Sequence, residues 1–152
     1  MITTENILAS AKKTVLAESE AISNLVNYLD DNFVKSVEAI FSSKGRLVVT
    51  GIGKSAIIAQ KIVATLNSTG TPSLFLHASE AIHGDLGMVQ PDDVVICISK
   101  SGNSPEIKVL VPLLKRFNNK LIAITGNITS FLGKEADYTL NTYVEKEACP
   151  NN

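Results

Sequence analysis

Apolar residues fall on two different periods along this chain, and the change between them separates a helical front from an alternating α/β body. From Glu5 to Leu29, the residues Leu8, Val15, Ile22 and Leu29 recur seven apart, with Ala11, Leu25 and Val26 beside them. That spacing draws one stripe down a long helix. Such a stripe is buried either on the chain's own domain or on a second subunit. A second helix is predicted from Asp30 to Phe41, burying Phe33, Val37, Ile40 and Phe41, with Gly45 as a left-handed cap.

After Gly45 the period shortens. Leu47–Thr50, Ser73–His77, Val94–Ile98, Leu121–Thr125 and the shorter Tyr138–Leu140 are continuous β-rich runs. Helical patterns separate them: Ile57, Ile58, Ile62, Thr65 and Leu66, closed by Ser68-Thr69-Gly70; then Ile107, Leu110, Val111 and Leu114, reaching about Phe117; then Ser130 to Ala136. Pro112 is expected to kink the second of these or to leave a carbonyl unpaired. Ala78 to Pro91 carries no period and reads as irregular.

Strands that are apolar throughout belong to a parallel sheet covered on both faces. The expected fold is therefore α/β, a three-layer α-β-α sandwich around a five-stranded parallel sheet in the flavodoxin-like order 2-1-3-4-5. It forms a single domain over 1–152, in which 1–43 is an N-terminal helical segment packing on the domain or on a partner subunit. In that order the crevice opens beyond the carboxyl ends of strands 1 and 3. The turns Gly51–Ser55 and Ser99–Ser104 follow those two strands.

Composition adds exclusions. The 152 residues are 45% hydrophobic and 19% charged, the balance of an ordinary soluble domain. Net charge is −1, without a lysine or arginine run, so no basic face is available for a nucleic-acid partner. No apolar run approaches the roughly 18 residues of a membrane span. The first residues, Met1-Ile2-Thr3-Thr4-Glu5-Asn6, are not a basic segment leading into an apolar core, so no secretory leader or membrane partner is expected and the expected location is cytoplasmic. Cys97 and Cys149 form no Cys-x-x-Cys pair; Cys97 falls in a strand and reads as a small core residue.

The two turns carry the candidate chemistry. Gly51-Ile52-Gly53-Lys54-Ser55 is not a Walker A loop, because the position that motif reserves for its first glycine is Val48. It fits the loose dinucleotide pattern Gly51-x-Gly53-x-x-Ala56, but that pattern wants an acidic residue after the second strand, where this chain has His77. What remains is a tight turn that lets backbone approach a ligand, with the Lys54 ammonium for an anionic oxygen.

Ser99-Lys100-Ser101-Gly102-Asn103-Ser104 joins a strand to a helix start, so hydroxyls, backbone N–H groups and the helix dipole can converge on one phosphate. Asn103-Ser104-Pro105-Glu106 also reads as a capping box, with Asn103 as N-cap and Glu106 three residues on. Capping leaves Ser99 and Ser101 unexplained, which favours phosphate. His83 stands in the irregular segment without a second histidine or cysteine at ligand spacing, so no required metal is expected.

Ser99-x-Ser101-Gly102-x-Ser104 resembles the phosphate loop of sugar isomerase (SIS) domains. Gly51–Ser55, Ser68-Thr69-Gly70-Thr71-Pro72-Ser73, Glu80-Ala81-x-His83-Gly84-Asp85-Leu86-Gly87-Met88 and Lys146-Glu147-Ala148-Cys149-Pro150 are similar, in order and spacing, to the arabinose-5-phosphate isomerases. The resemblance runs from about residue 5 to the end. It implies an aldose–ketose isomerase interconverting D-arabinose 5-phosphate and D-ribulose 5-phosphate through a cis-enediol, supplying Kdo for lipopolysaccharide.

By the same resemblance Ser99, Ser101, Gly102 and Ser104 hold the phosphate with Ser55 assisting. Lys54 stabilises charge on the sugar oxygens, and Glu106 and Glu147 are the acid–base groups. His83 matches a family histidine near the site that can take an inhibitory metal. No cofactor is implied, the partner is a phosphosugar, and the assembly is a homo-oligomer, dimer or tetramer.

The family continues past Cys-Pro with a helical segment and a later histidine, and often a pair of CBS domains. This sequence stops at Asn152, so a truncated C-terminus is expected. Lys100 also departs from the small polar residue usual in the loop; it either adds charge to the phosphate site or points to solvent. The alternatives are a non-catalytic phosphosugar-sensing SIS module, or another SIS isomerase such as one for 3-hexulose 6-phosphate.

Overall fold

Every apolar run after Gly45 becomes a strand of one sheet. The computed structural model describes residues 3–148, so Cys149 and Pro150 of the last motif lie outside the described residues. In chain order the elements are α1 (Thr4–Asn24), a 3₁₀ turn (Leu25–Tyr28), α2 (Asp31–Ser42), β1 (Leu47–Gly51), α3 (Lys54–Ser68) and β2 (Ser73–His77). Then come α4 (Ala78–Ile82), a 3₁₀ turn (Asp85–Met88), β3 (Val94–Ile98), α5 (Pro105–Arg116), β4 (Lys120–Thr125), α6 (Phe131–Glu135) and β5 (Tyr138–Asn141). All strand pairs are parallel, in the order β2-β1-β3-β4-β5. The three-layer sandwich and its winding are as expected.

Each central strand divides its side chains between two cores, because successive residues point to opposite faces. Val48, Val95, Cys97, Leu121 and Ala123 meet Ile107, Leu110, Val111 and Leu114 of α5 on one face. Val49, Val94, Ile96, Ile98 and Ile122 meet Ala59, Ile62, Val63 and Leu66 of α3, with Ile40 of α2, on the other. Strands buried on both sides explain the unbroken apolar runs. Burial pushes the Cys97 thiol up to about 12, the behaviour of an inert core residue.

The amino ends of β1 and β3 are clamped through Asp93. Its carboxylate accepts from Arg46 N at 2.7 Å, Arg46 Nη2 at 3.0 Å and Gln90 N at 2.9 Å. The Asn119 amide donates to the carbonyls of Gln90 (2.7 Å) and Asp93 (2.8 Å) beside it.

Three local expectations are corrected. Ala78 to Pro91 is not irregular: it folds as the short helix α4 and a 3₁₀ turn, pieces too brief to show a helical period, with Ala78 and Ala81 buried in the first core. Gly45 is not a left-handed cap. A Cβ there would lie 2.4 Å from the Asp92 carbonyl, so glycine serves the close approach of two chain segments. Of the α2 residues expected to be buried, only Ile40 packs on a core; Phe33 and Val37 are exposed, and Phe41 is 92% exposed. α1 likewise buries none of its residues.

Candidate functional site

The carboxyl ends of β1 and β3 are neighbours, since Gly51 pairs with Ile98. This places the two Gly/Ser turns side by side at the point where the winding reverses, where open α/β sheets bind ligands. Gly53 takes φ 58° and lets α3 begin at Lys54 immediately after the strand.

Ser99 to Ser104 forms a self-braced loop. The buried Ser99 Oγ accepts from Gly102 N at 3.2 Å and lies 3.4 Å from Ser104 Oγ. Ser101 Oγ accepts from Asn103 N at 3.3 Å. The Lys100 carbonyl accepts from Gly126 N at 3.0 Å and from Thr125 Oγ1 at 3.2 Å, anchoring the loop to the end of β4.

The capping box is not formed. Ser104 is the N-cap of α5 and its side chain makes no capping bond. Asn103 instead spans outward: its Nδ2 donates to the Ser101 carbonyl at 3.2 Å, and its Oδ1 accepts from Phe131 N, the first residue of α6, at 3.0 Å. A cross-loop partner outcompetes the local one. The first turn of α5 is thereby left without a side-chain acceptor, and its N–H groups remain available to an anion.

These turns enclose a cleft of about 490 Å³ lined by Ser55, Ser99, Lys100, Ser101 and Ser104, with Ile52, Gly126, Tyr143 and Val144 closing it. All four predicted serines therefore converge. Gly102 is buried behind them rather than lining the cleft.

Lys54 is exposed at the start of α3. Glu147 stands at the edge of the site, where a hydrogen bond from Lys100, the charge of Lys100 and that of Lys54 together hold its carboxyl below the usual carboxylate value. Lys100 neither points freely into solvent nor is confined to the serine-lined cleft; its ammonium pairs with Glu147.

Glu106 is half-buried in the first turn of α5 and does not line the cleft; His83 ends α4, is exposed and does not line it either. Among the described residues no three His, Cys, Asp or Glu side chains converge as a metal would need. His77 closes β2 with its ring edge-on to Phe75, centroids 6.2 Å apart, a structural placement.

The residues missed by sequence reasoning are Gly126, Tyr143 and Val144. Their signal was position: each follows the carboxyl end of a strand, β4 or β5, on the same edge of the sheet as the two turns.

Serines converging in one cleft at the reversal point of a doubly wound parallel sheet define the class: an α/β domain with a hydroxyl-lined cleft at its switch point. Within that class the chain belongs to the SIS domain family, which matches residues 40–151.

Relatives lie close. The "Probable arabinose 5-phosphate isomerase" of Haemophilus influenzae is 50% identical over 147 residues, covering 97% of this chain and 44% of the relative. The arabinose 5-phosphate isomerase of Shigella flexneri is 53% identical over 141 residues, 92% of this chain and 43% of the relative. A solved structure of an Escherichia coli protein in complex with arabinose 5-phosphate is 39% identical with a TM-score of 0.92, covering 98% of this chain and 79% of that one. The chain thus spans less than half the length of these curated relatives.

Proposed function

We propose that this domain binds a pentose 5-phosphate and interconverts D-arabinose 5-phosphate and D-ribulose 5-phosphate. The observation that carries the reading is the convergence of Ser55, Ser99, Ser101 and Ser104 in one cleft beside an uncapped helix start. Hydroxyls and N–H groups there match the oxygens of a phosphate dianion. Kinship with proteins bearing that activity's name, about half identical, narrows the anion to a sugar phosphate.

The chemistry follows from the residue types. A carboxylate, Glu106 or Glu147, takes the C2 proton of the open-chain aldose. The electron pair forms the C1–C2 double bond, and charge moves onto O1, where the Lys54 ammonium stabilises it. Returning that proton to C1, while the O2 proton passes to O1, gives the ketose. C1 is reduced and C2 oxidised within one molecule, so no cofactor enters the step. Glu147, held below the usual carboxylate value by two lysines, is ionised as a base must be, and is a weaker base for the shift.

On this reading the reaction, run towards arabinose 5-phosphate, supplies Kdo for lipopolysaccharide, the protein works in the cytoplasm, and the assembly is a homo-oligomer. The apolar stripe of α1, left uncovered by its own domain, supports the last of these. No described helix is long and apolar enough to cross a membrane.

The test is an isomerase assay on arabinose 5-phosphate with the full-length protein, wild type and Glu106→Gln. Turnover by the wild type, lost in the variant with phosphosugar affinity retained, is expected. Binding without turnover in the wild type would favour a phosphosugar sensor. Loss of binding in the variant would make Glu106 a part of the cradle.

A further inference from the structure

Two side chains of the phosphate loop reach beyond it: Asn103 bonds the start of α6, and Lys100 reaches the C-terminal segment. The root of Lys100 is fixed, because its carbonyl is held by Gly126 N and Thr125 Oγ1. Its side chain forms the wall between two clefts, the serine-lined one and a smaller one of about 280 Å³ shared with Val144, Glu145, Lys146 and Glu147. There its ammonium donates to the Glu147 carboxylate across 47 residues of sequence.

The segment that carries Glu147 has little else to hold it. Thr142 N is bonded to the Thr125 carbonyl at 2.9 Å and Tyr143 N to Asn141 Oδ1 at 2.9 Å. Past Tyr143, among the described residues, the Lys100–Glu147 pair is the only side-chain hydrogen bond or ion pair made by the segment. Both partners are at least half exposed, and a pair in that setting adds little to stability. Its consequence is placement.

We propose that Lys100 is a positioning residue, whose ammonium holds the Glu147 carboxylate at the mouth of the phosphate cleft. The loop that binds the phosphate then also sets the distance from the sugar to one of its two candidate proton-transfer groups. This rests on the isomerase reading. The charged groups facing Glu147 are Lys100 from the loop and Lys54 from the start of α3, with Glu145 and Lys146 on its own segment.

Full-length wild type, Lys100→Met and Lys100→Arg are compared on arabinose 5-phosphate. Loss of the tether is expected to lower kcat about tenfold while KM stays within about twofold, the pattern of a misplaced reacting group. The acid limb of the kcat–pH profile moves to higher pH, part of the way only, since Lys54 remains. Arginine restores most of kcat, and the melting temperature is unchanged throughout.

A raised KM with unchanged kcat would make Lys100 a phosphate ligand and overturn the proposal, as would wild-type kcat and pH profile in the methionine variant. Carbon NMR titration of the Glu147 carboxyl reads the pair without substrate. Its midpoint should be higher in Lys100→Met than in wild type, and an equal midpoint overturns the pairing. If wild type turns over no arabinose 5-phosphate, the isomerase reading falls, and the titration alone decides whether Lys100 holds Glu147.

Discussion

Gly102 holds a left-handed φ of 63° between two of the cleft's serines, and a Cβ on it would lie 2.0 Å from Ser130 Oγ. Alanine there must strain the backbone and displace Ser130, whose hydroxyl caps α6 by accepting from Gly133 N at 3.2 Å. Gly102→Ala is expected to cost about 2–3 kcal/mol. Thermal denaturation should show that as a fall of roughly 6 °C. Phosphosugar affinity, read by calorimetry, should fall with it; a variant that melts and binds like wild type would refute the account. The sequence pointed to this residue but not to its part. Its reason for being glycine lies in Ser130, 28 positions away, which no local pattern reveals. Asn103 teaches the same: its spacing to Glu106 reads as a capping box, yet its carboxamide prefers the N–H that opens α6.

At the scale of elements, the contrast is between helices that found a core and helices that did not. α5 was recognisable in full because its apolar face repeats on the helical period and is buried to match, and it runs through Pro112 without ending. α1 shows an equally regular stripe, but Val15 is 64% and Ile22 67% exposed. Periodicity states that a face seeks burial; it does not name the surface that buries it. Exposed apolar positions aligned along α1, followed by Phe33, Val37 and Phe41 on α2, are more than a monomer ordinarily presents to water. Each such side chain gains roughly 1–2 kcal/mol on burial, enough in number to drive association. Replacing Val15 and Ile22 together by glutamate should lower the solution mass measured by light scattering, with far-UV circular dichroism unchanged. An unaltered mass would exclude this face as the contact.

For the molecule as a whole, the Asp93 clamp is where stability meets pH. Burial pushes its carboxyl up, but the hydrogen bond from the Arg46 guanidinium, those from the Gln90 and Arg46 N–H groups, and the arginine's charge outweigh it, leaving the value below the ordinary one. A depressed folded value means the carboxylate's contribution is complete above the unfolded value near 4 and is lost as pH falls through the folded one. Asp93→Asn should therefore be less stable at neutral pH, by about 2–4 kcal/mol, and its melting temperature should fall less steeply than wild type's below about pH 4. Parallel curves would show that other groups, such as the similarly depressed Asp137, govern acid stability. The same scale separates what could be read from what could not. Strand identity, sheet order and the adjacency of the two Gly/Ser turns follow from sequence alone, because strands buried on both faces must be apolar throughout and because a doubly wound sheet sets its first and third strands side by side. The serines of the two turns were equally legible, being the hydroxyls that turn chemistry leaves over. Tertiary structure alone decided which side chains meet across the chain: Asn103 with α6, Gly45 with Asp92, and Lys100 with Glu147. Those contacts join residues 28 to 47 positions apart. They depend on the path of the backbone between their ends, which no periodicity encodes.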